Sequence, residues 1–325
     1  MSRVTLCRLT LPLLLGVAAP LAQAADPQAL LMRIQQAAGS LDYDGTFVFQ
    51  RGDQLESLRI VHKASGGVLR ERLVSLNGAP REILRTGSEV RCYLPDENAV
   101  LIEHRRADNR NFPALLPDSL SVLKKNYRVG NGASGRVAGR SAQSVTITPR
   151  DAYRYGYHLW ADKATGLLLK AGLIDAQGKV IEQYMFTQVS IGKAIPESEL
   201  APQHLSKAVV APRRADESEE SPVASSSRWQ AAQLPAGYTL ERRMQRKLSA
   251  RQQPVEHLVY SDGLAVVSVF IEPVDDAARG ALSGLTHMGA VHAFGKVTDG
   301  HQITVLGEAP AMTVDMIGAS VAPQP

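Results

Sequence analysis

The chain has 325 residues, 44% of them hydrophobic, with 36 Lys+Arg against 32 Asp+Glu and a formal net charge of +4. So small an excess gives no electrostatic footprint for nucleic acid. Beyond the N-terminus, no apolar run reaches the roughly 20 residues that a membrane-spanning helix needs.

Residues 1–24 read as a secretory leader rather than as part of the fold. Arg3 and Arg8 supply a positive start, Leu9 to Leu21 an apolar run broken by Pro12, and Ala22-Gln23-Ala24 a small-x-small cleavage site near Ala25. A signal anchor is the alternative reading, but the run is short for it. Cleavage leaves 34 Lys+Arg against 32 Asp+Glu and makes Cys92 the only mature cysteine, so an intramolecular disulfide is excluded. Cys92 lies in a strand-like run, where a small buried hydrophobe is its expected role.

Pro27 to Ala38 has Leu30, Ile34 and Ala37 at helical spacing and predicts a short amphipathic helix. From Tyr43 the pattern turns to short β-rich runs punctuated by Gly, Asn-Gly and Pro-Asp, which predict a meander of hairpins through His104. The stretch His104–Arg150 differs. Phe112 to Pro117 is an apolar loop, and Asp118 is placed to cap a helix, Ser119–Arg128, with Leu120, Leu123 and Tyr127 on one face. Nine Lys/Arg stand there against Asp108 and Asp118. They form either a solvated basic rim or an anion site beside an apolar cleft.

The organising stretch is Tyr157–Val189, three antiparallel strands joined at Asp162–Gly166 and Asp175–Gly178. Leu167, Leu169, Ala171 and Leu173 share one face, Leu168 and Ile174 the other. In the third strand Val180, Tyr184 and Phe186 oppose Ile181, Met185 and Val189. Neither face is wholly polar, which predicts cover on both sides: a core on one, and a helix, a second sheet or an apolar ligand on the other.

Pro196 to Ser227 loses hydrophobic periodicity and carries an acidic cluster between Ser/Pro-rich flanks, so it reads as an interdomain linker. The predicted organisation is a leader over 1–24, a large domain over 25–205, a linker over 206–228 and a small domain over 229–325. In the small domain, Ser261-Asp262-Gly263 and Asp299-Gly300 predict hairpins, and Pro310 opens a final helix.

The eight histidines show no HExxH spacing, and no GxSxG or Walker-type loop is present. His287 and His292 are five apart, either a surface pair or the start of a metal site. With no nucleophile–base set, the residues point to binding rather than catalysis, with no cofactor or metal. The candidate lipid-binding residues are Phe47, Phe49, Phe112, Leu115, Leu116, Lys124, Lys125 and Trp160. The candidate partner-binding residues are Arg242, Arg243, Arg246 and Lys247, whose bland reading is a charged edge that discourages aggregation.

Five segments in this order carry a resemblance: DGTFVFQRG, the run from Thr148 to Val189, LPAGYTL, YSDGLAVVSVFIEP and ITVLGEAP. Together they resemble the RseB/MucB family, periplasmic negative regulators of the sigma-E (AlgU-type) envelope-stress factor. The resemblance implies an α+β, mostly antiparallel chain: a LolA/LolB-like unclosed barrel with covering helices, then a smaller α+β C-terminal domain. It also implies a partner, the periplasmic part of a membrane anti-sigma factor of the RseA or MucA kind, shielded from a site-1 protease. Lipopolysaccharide or another acyl lipid is the implied release signal. A periplasmic lipid or lipoprotein carrier stays open as the alternative, as does a homo-oligomer.

Overall fold

The computed structural model describes residues 26–64, 67–104, 116–117, 119–203, 221–222, 228–246, 254–274 and 282–323. The leader, Phe112, Leu115, Lys247 and most of the predicted linker lie outside these residues, as do Arg105, Arg106 and Arg110.

Helix α1 (Pro27–Ser40) starts where the sequence placed it. Asp26 accepts a hydrogen bond from the Gln28 backbone N–H at 3.0 Å, and Pro27 occupies a first-turn position whose N–H would have no helical partner. Leu30, Leu31, Ile34 and Ala37 form its buried face.

The meander is β1 (Tyr43–Arg51), β2 (Gln54–Lys63), β3 (Arg70–Ser75), β4 (Glu82–Thr86), β5 (Glu89–Leu94) and β6 (Ala99–His104). After the covering segment come β7 (Tyr127–Val137), β8 (Arg140–Pro149), β9 (Gly156–Asp162), β10 (Leu168–Ile174) and β11 (Val180–Ile191). All eleven form one antiparallel sheet in the order β6-β5-β4-β3-β2-β1-β11-β10-β9-β8-β7. Among the described residues, the edge strands β6 and β7 do not pair, so the curved sheet stays unclosed.

Strand β7 was not foreseen. Its Gly-rich sequence, VGNGASGRV, has little β propensity of its own, and its pairing with β8 supplies what propensity does not. The predicted helix over Ser119–Arg128 is correspondingly shorter. A 3-10 turn (Leu120–Val122) runs into the single-turn helix α2 (Leu123–Asn126), and Tyr127 already opens β7. Leu123 and Tyr127 are buried as the helical reading wanted, but from two different elements.

The organising stretch is β9-β10-β11. Its inner face enters the main core through Leu159, Ala161, Leu169, Ala171, Tyr184 and Phe186. Cover on the outer face is only partial: Val180 is 45% exposed and Met185 36%. The exposed Val180 departs from the predicted face because the β10–β11 register shifts beside Ile174. A turn of the second domain instead extends the cover of the inner-face row, where Ala290 packs with Tyr155, Leu173 and Ile181.

The end of the predicted large domain, where hydrophobic periodicity is already lost, is bound to the first sheet. Glu197 accepts hydrogen bonds from Lys63 and Arg70, Glu199 from Arg59, and the Gln203 backbone N–H reaches the buried Glu82 carboxylate.

The second sheet contains β12 (Ser221–Pro222), β14 (Thr239–Arg246), β15 (Val255–Ser261), β16 (Val266–Pro273), β17 (Gly284–Met288), β18 (Val291–Thr298) and β19 (His301–Glu308). Their order is β12-β14-β15-β16-β19-β18-β17, and β13 (Trp229–Ala231) pairs separately with β20 (Val321–Pro323). Helix α3 (Ala311–Ser320) packs Val314 and Ile317 into a core with Leu258, Val267, Ile303 and Val305. Both predicted hairpins form, at Asp262–Ala265 and at Asp299-Gly300.

Candidate ligand pocket and interdomain joint

Two clefts flank the covering segment Ser119–Asn126. The first is a cavity of about 310 Å³ between that segment and α1. Leu31, Met32, Leu120 and Val129 give it apolar surface; Gln28, Gln35, Ser119, Ser121 and Lys124 supply polar groups. Gln35 also donates to the Pro117 carbonyl at 2.8 Å, tying α1 to the segment. An apolar floor with one cationic and several neutral polar groups suits a short acyl chain with an anionic end.

The second cleft, about 380 Å³, lies between the domains. Ser121, Val122, Lys125 and Asn126 face Gly237, Thr239, Glu241, Ser261, Asp262 and Gly263 across it. Gly237 and Gly263 come so close that side chains would collide. A Cβ on Gly237 would stand 2.3 Å from Asn126 Oδ1, and one on Gly263 2.8 Å from a Val122 methyl.

Beside this cleft is a buried joint. Arg154, 1% exposed, pairs through Nη1 with Asp262 Oδ2, and its Nε donates to Asp151 Oδ1 at 2.9 Å. Tyr127 Oη also donates to Asp262 Oδ2, at 2.9 Å. The Arg154 guanidinium lies over the Tyr127 and Tyr238 rings at 5.7 and 5.2 Å. Burial, and then the Asp262 charge, push the Tyr127 hydroxyl far above its ordinary pKa, so it stays protonated and donates to Asp262. The other Asp262 oxygen accepts from the Leu264 and Ala265 backbone N–H groups at 2.8 and 2.7 Å, which shapes the hairpin tip. That tip places Leu264 in the core of the first domain, alongside Leu123 and Tyr127.

A second joint lies at Glu182, whose carboxylate takes the Arg51 guanidinium at 2.8 Å and the Ala290 backbone N–H at 3.0 Å.

Of the predicted lipid-binding residues that are described, only Lys124 lines the first cavity. Phe47 is core, edge-on to Phe186 and Tyr184 at 5.7 and 6.1 Å. Phe49 is half-buried beneath the Arg51 guanidinium, and Leu116 is buried in the main core. Lys125 faces the interdomain cleft. Trp160 pairs with His158 at 5.3 Å and lies over Gly135, away from the cavity. In the predicted partner set, Arg243 donates to Glu256 at 3.1 Å, Arg242 is half-buried and Arg246 ends β14. Neither Arg242 nor Arg243 lines either cleft.

His287 and His292 are register partners on β17 and β18 with stacked rings 5.5 Å apart, and His292 Nδ1 is 2.9 Å from the Ala309 carbonyl oxygen. Among the described residues, no group of three or more His, Cys, Asp or Glu could hold a metal ion. No described helix is long and apolar enough to cross a membrane.

Reading the sequence alone missed Leu31, Met32, Gln35 and Val129, and the joint residues Arg154 and Asp262. Leu31 and Met32 carried a signal, as apolar residues directly following Leu30 in the predicted helix. Asp262 was visible only as a turn residue.

Comparison with known proteins decides the family. The MucB/RseB N-terminal domain model matches residues 26–204, and the MucB/RseB C-terminal domain model matches residues 223–322. This chain belongs to the MucB/RseB family. It is 37% identical over 320 residues, 97% of each chain, to the sigma factor AlgU regulatory protein MucB of Pseudomonas aeruginosa. It is 27% identical over 297 residues, 90% of this chain and 89% of the other, to the sigma-E factor regulatory protein RseB of Escherichia coli. Among solved structures, the Pseudomonas aeruginosa MucA/MucB complex superposes with a TM-score of 0.71 at 33% identity. It covers 93% of this chain and 100% of that one. A crystal structure of MucB gives 0.63 at 31% identity, covering 92% and 98%. The mostly antiparallel, unclosed architecture implied by the resemblance is the architecture found.

Proposed function

We propose that the mature protein is a periplasmic regulatory binding protein of a sigma-E-type stress pathway. It holds the periplasmic part of a membrane anti-sigma factor, shields that segment from site-1 proteolysis, and lets go when a phosphorylated acyl lipid such as lipopolysaccharide occupies the first domain. One observation carries the reading: the match to the MucB/RseB family runs through both domains, and its relatives include a MucB solved together with MucA. The cavity beneath α1, with Lys124 among its lining residues, supports the lipid part. The leader over 1–24 supports export.

A lipid carrier is the second reading, and the same cavity favours it. The buried joint argues for the regulator. A carrier has no need of a second domain whose hairpin tip is built into the first domain's core. The test is a pull-down from membrane extract with the mature protein. Recovery of a single-span anti-sigma factor is expected; recovery of lipoproteins alone would favour the carrier.

A further inference from the structure

The covering segment has two working faces. Leu120 and Lys124 line the cavity under α1, while Val122, Lys125 and Asn126 line the interdomain cleft. Ser121 lines both. The wall between the two clefts is therefore one short turn of chain, with no second layer behind it.

At two points beside the interdomain cleft that wall already touches the second domain. Val122 and Asn126 stand where any Cβ on Gly263 or Gly237 would have to be, and both glycines hold positive φ, +93° and +88°. Just beyond, Leu264 is seated in the first domain's core and Asp262 is held by Arg154 and Tyr127. The cavity, at about 310 Å³, is at the small end of ligand sites, which run from roughly 300 to 1,000 Å³. A long acyl chain that seats fully in it enlarges it. α1 is fixed to the core through Leu30, Leu31, Ile34 and Ala37 and the covering segment through Leu123 with Leu120 against it, so the segment has fewer anchors and is the part that gives first. Outward movement of the segment drives Val122 and Asn126 into the backbone of the two glycine turns.

We infer that the hairpin tip Asp262–Leu264 is a seat for the second domain that an acyl phosphate in the α1 cavity dislodges through segment 119–126. This rests on the lipid part of the proposed function and supplies its regulation. Ligand entry and domain docking compete for the position of one segment. Each must weaken the other by the same factor.

The test uses the full mature chain and dodecyl phosphate below its micelle concentration. Binding is followed by calorimetry and the seat by hydrogen exchange of peptides spanning Glu256–Ser268. In the wild type, saturating dodecyl phosphate should speed exchange there and leave His301–Glu308 unchanged. Leu264→Ala, which loosens the seat, should bind dodecyl phosphate more tightly, within the roughly 5- to 150-fold range ordinary for coupled sites. Binding with no change in exchange at Glu256–Ser268 would overturn the coupling and leave the lipid reading standing. So would unchanged affinity in a folded Leu264→Ala protein. Absence of dodecyl phosphate binding would overturn both the inference and the lipid part of the proposed function, leaving the partner reading to the pull-down. The wild-type exchange arm decides the matter if the variant does not fold.

Discussion

The Arg154–Asp262 pair makes a prediction whose size follows from its surroundings. In Asp262→Ala the buried guanidinium loses one of its two carboxylates, and Tyr127 loses its acceptor. Breaking a buried ion pair by removing one partner costs about 3–5 kcal/mol, and stranding a buried hydroxyl costs about 1–3 kcal/mol. These overlap, because both fall on one carboxylate oxygen. Asp151, whose side chain is 30% exposed, still offsets part of the Arg154 charge. The expected loss is therefore about 3–4 kcal/mol, near the lower end for a broken pair. In Arg154→Met/Asp262→Ala no buried charge is left alone, so the double variant should be more stable than the single one.

The assay is urea unfolding followed at each tryptophan, since Trp160 lies in the first domain and Trp229 in the second; a Trp→Phe background isolates either probe. In the wild type the two transitions should coincide, because the joint couples the domains. In Asp262→Ala they should separate. Coincident transitions with a loss below about 1 kcal/mol, or a double variant less stable than the single one, would refute the claim that this pair holds the domains together.

Three further outcomes are expected. Lys124→Glu should weaken dodecyl phosphate binding and Lys125→Glu should not, because only Lys124 lines the α1 cavity; equal effects in calorimetry would remove the cavity as the anion's position. Gly135→Ala should displace the Trp160 ring, since the new Cβ would stand 2.7 Å from it, costing about 1–3 kcal/mol by overpacking. An emission spectrum identical to wild type would show that the ring does not lie there. Glu197, held by Arg70 and Lys63, should titrate at about 2, below its ordinary 4.5. Its folded-state pKa is depressed, so the contact is fully present above pH 4.5 and is lost as pH falls toward 2. Carboxyl NMR should show that value, and a titration at 4.5 would mean the Glu197 contact does not form in solution.

Local signals carried far in this chain where local chemistry decides structure. Asp26-Pro27 starts a helix and Ser261-Asp262-Gly263 turns a hairpin because capping and turn residues act within a few positions. Strand β7 escaped notice because Gly130, Gly132 and Gly135 weaken its own preference, and only β8 supplies a partner. The site was less legible for the same reason. A cavity between α1 and a segment some ninety residues later is set by packing across the sheet, which no periodicity reports. Aromatic side chains such as Phe47 read in the sequence either as core or as ligand contacts, and Phe47 packs in the core, where large apolar rings usually go. Arg154 sat unremarked in a run of tyrosines, and nothing near it in sequence marks Asp262 as its partner.

The central claim is that this protein shields an anti-sigma factor and releases it to a lipid signal. The most direct measurement is cleavage of the purified periplasmic fragment of its cognate anti-sigma factor by the site-1 protease. It is run with the mature protein present, and then again with lipopolysaccharide added. The account predicts that the mature protein slows cleavage in proportion to its occupancy of the fragment and that lipopolysaccharide restores it. A fragment cut at the same rate with and without saturating protein would contradict the claim.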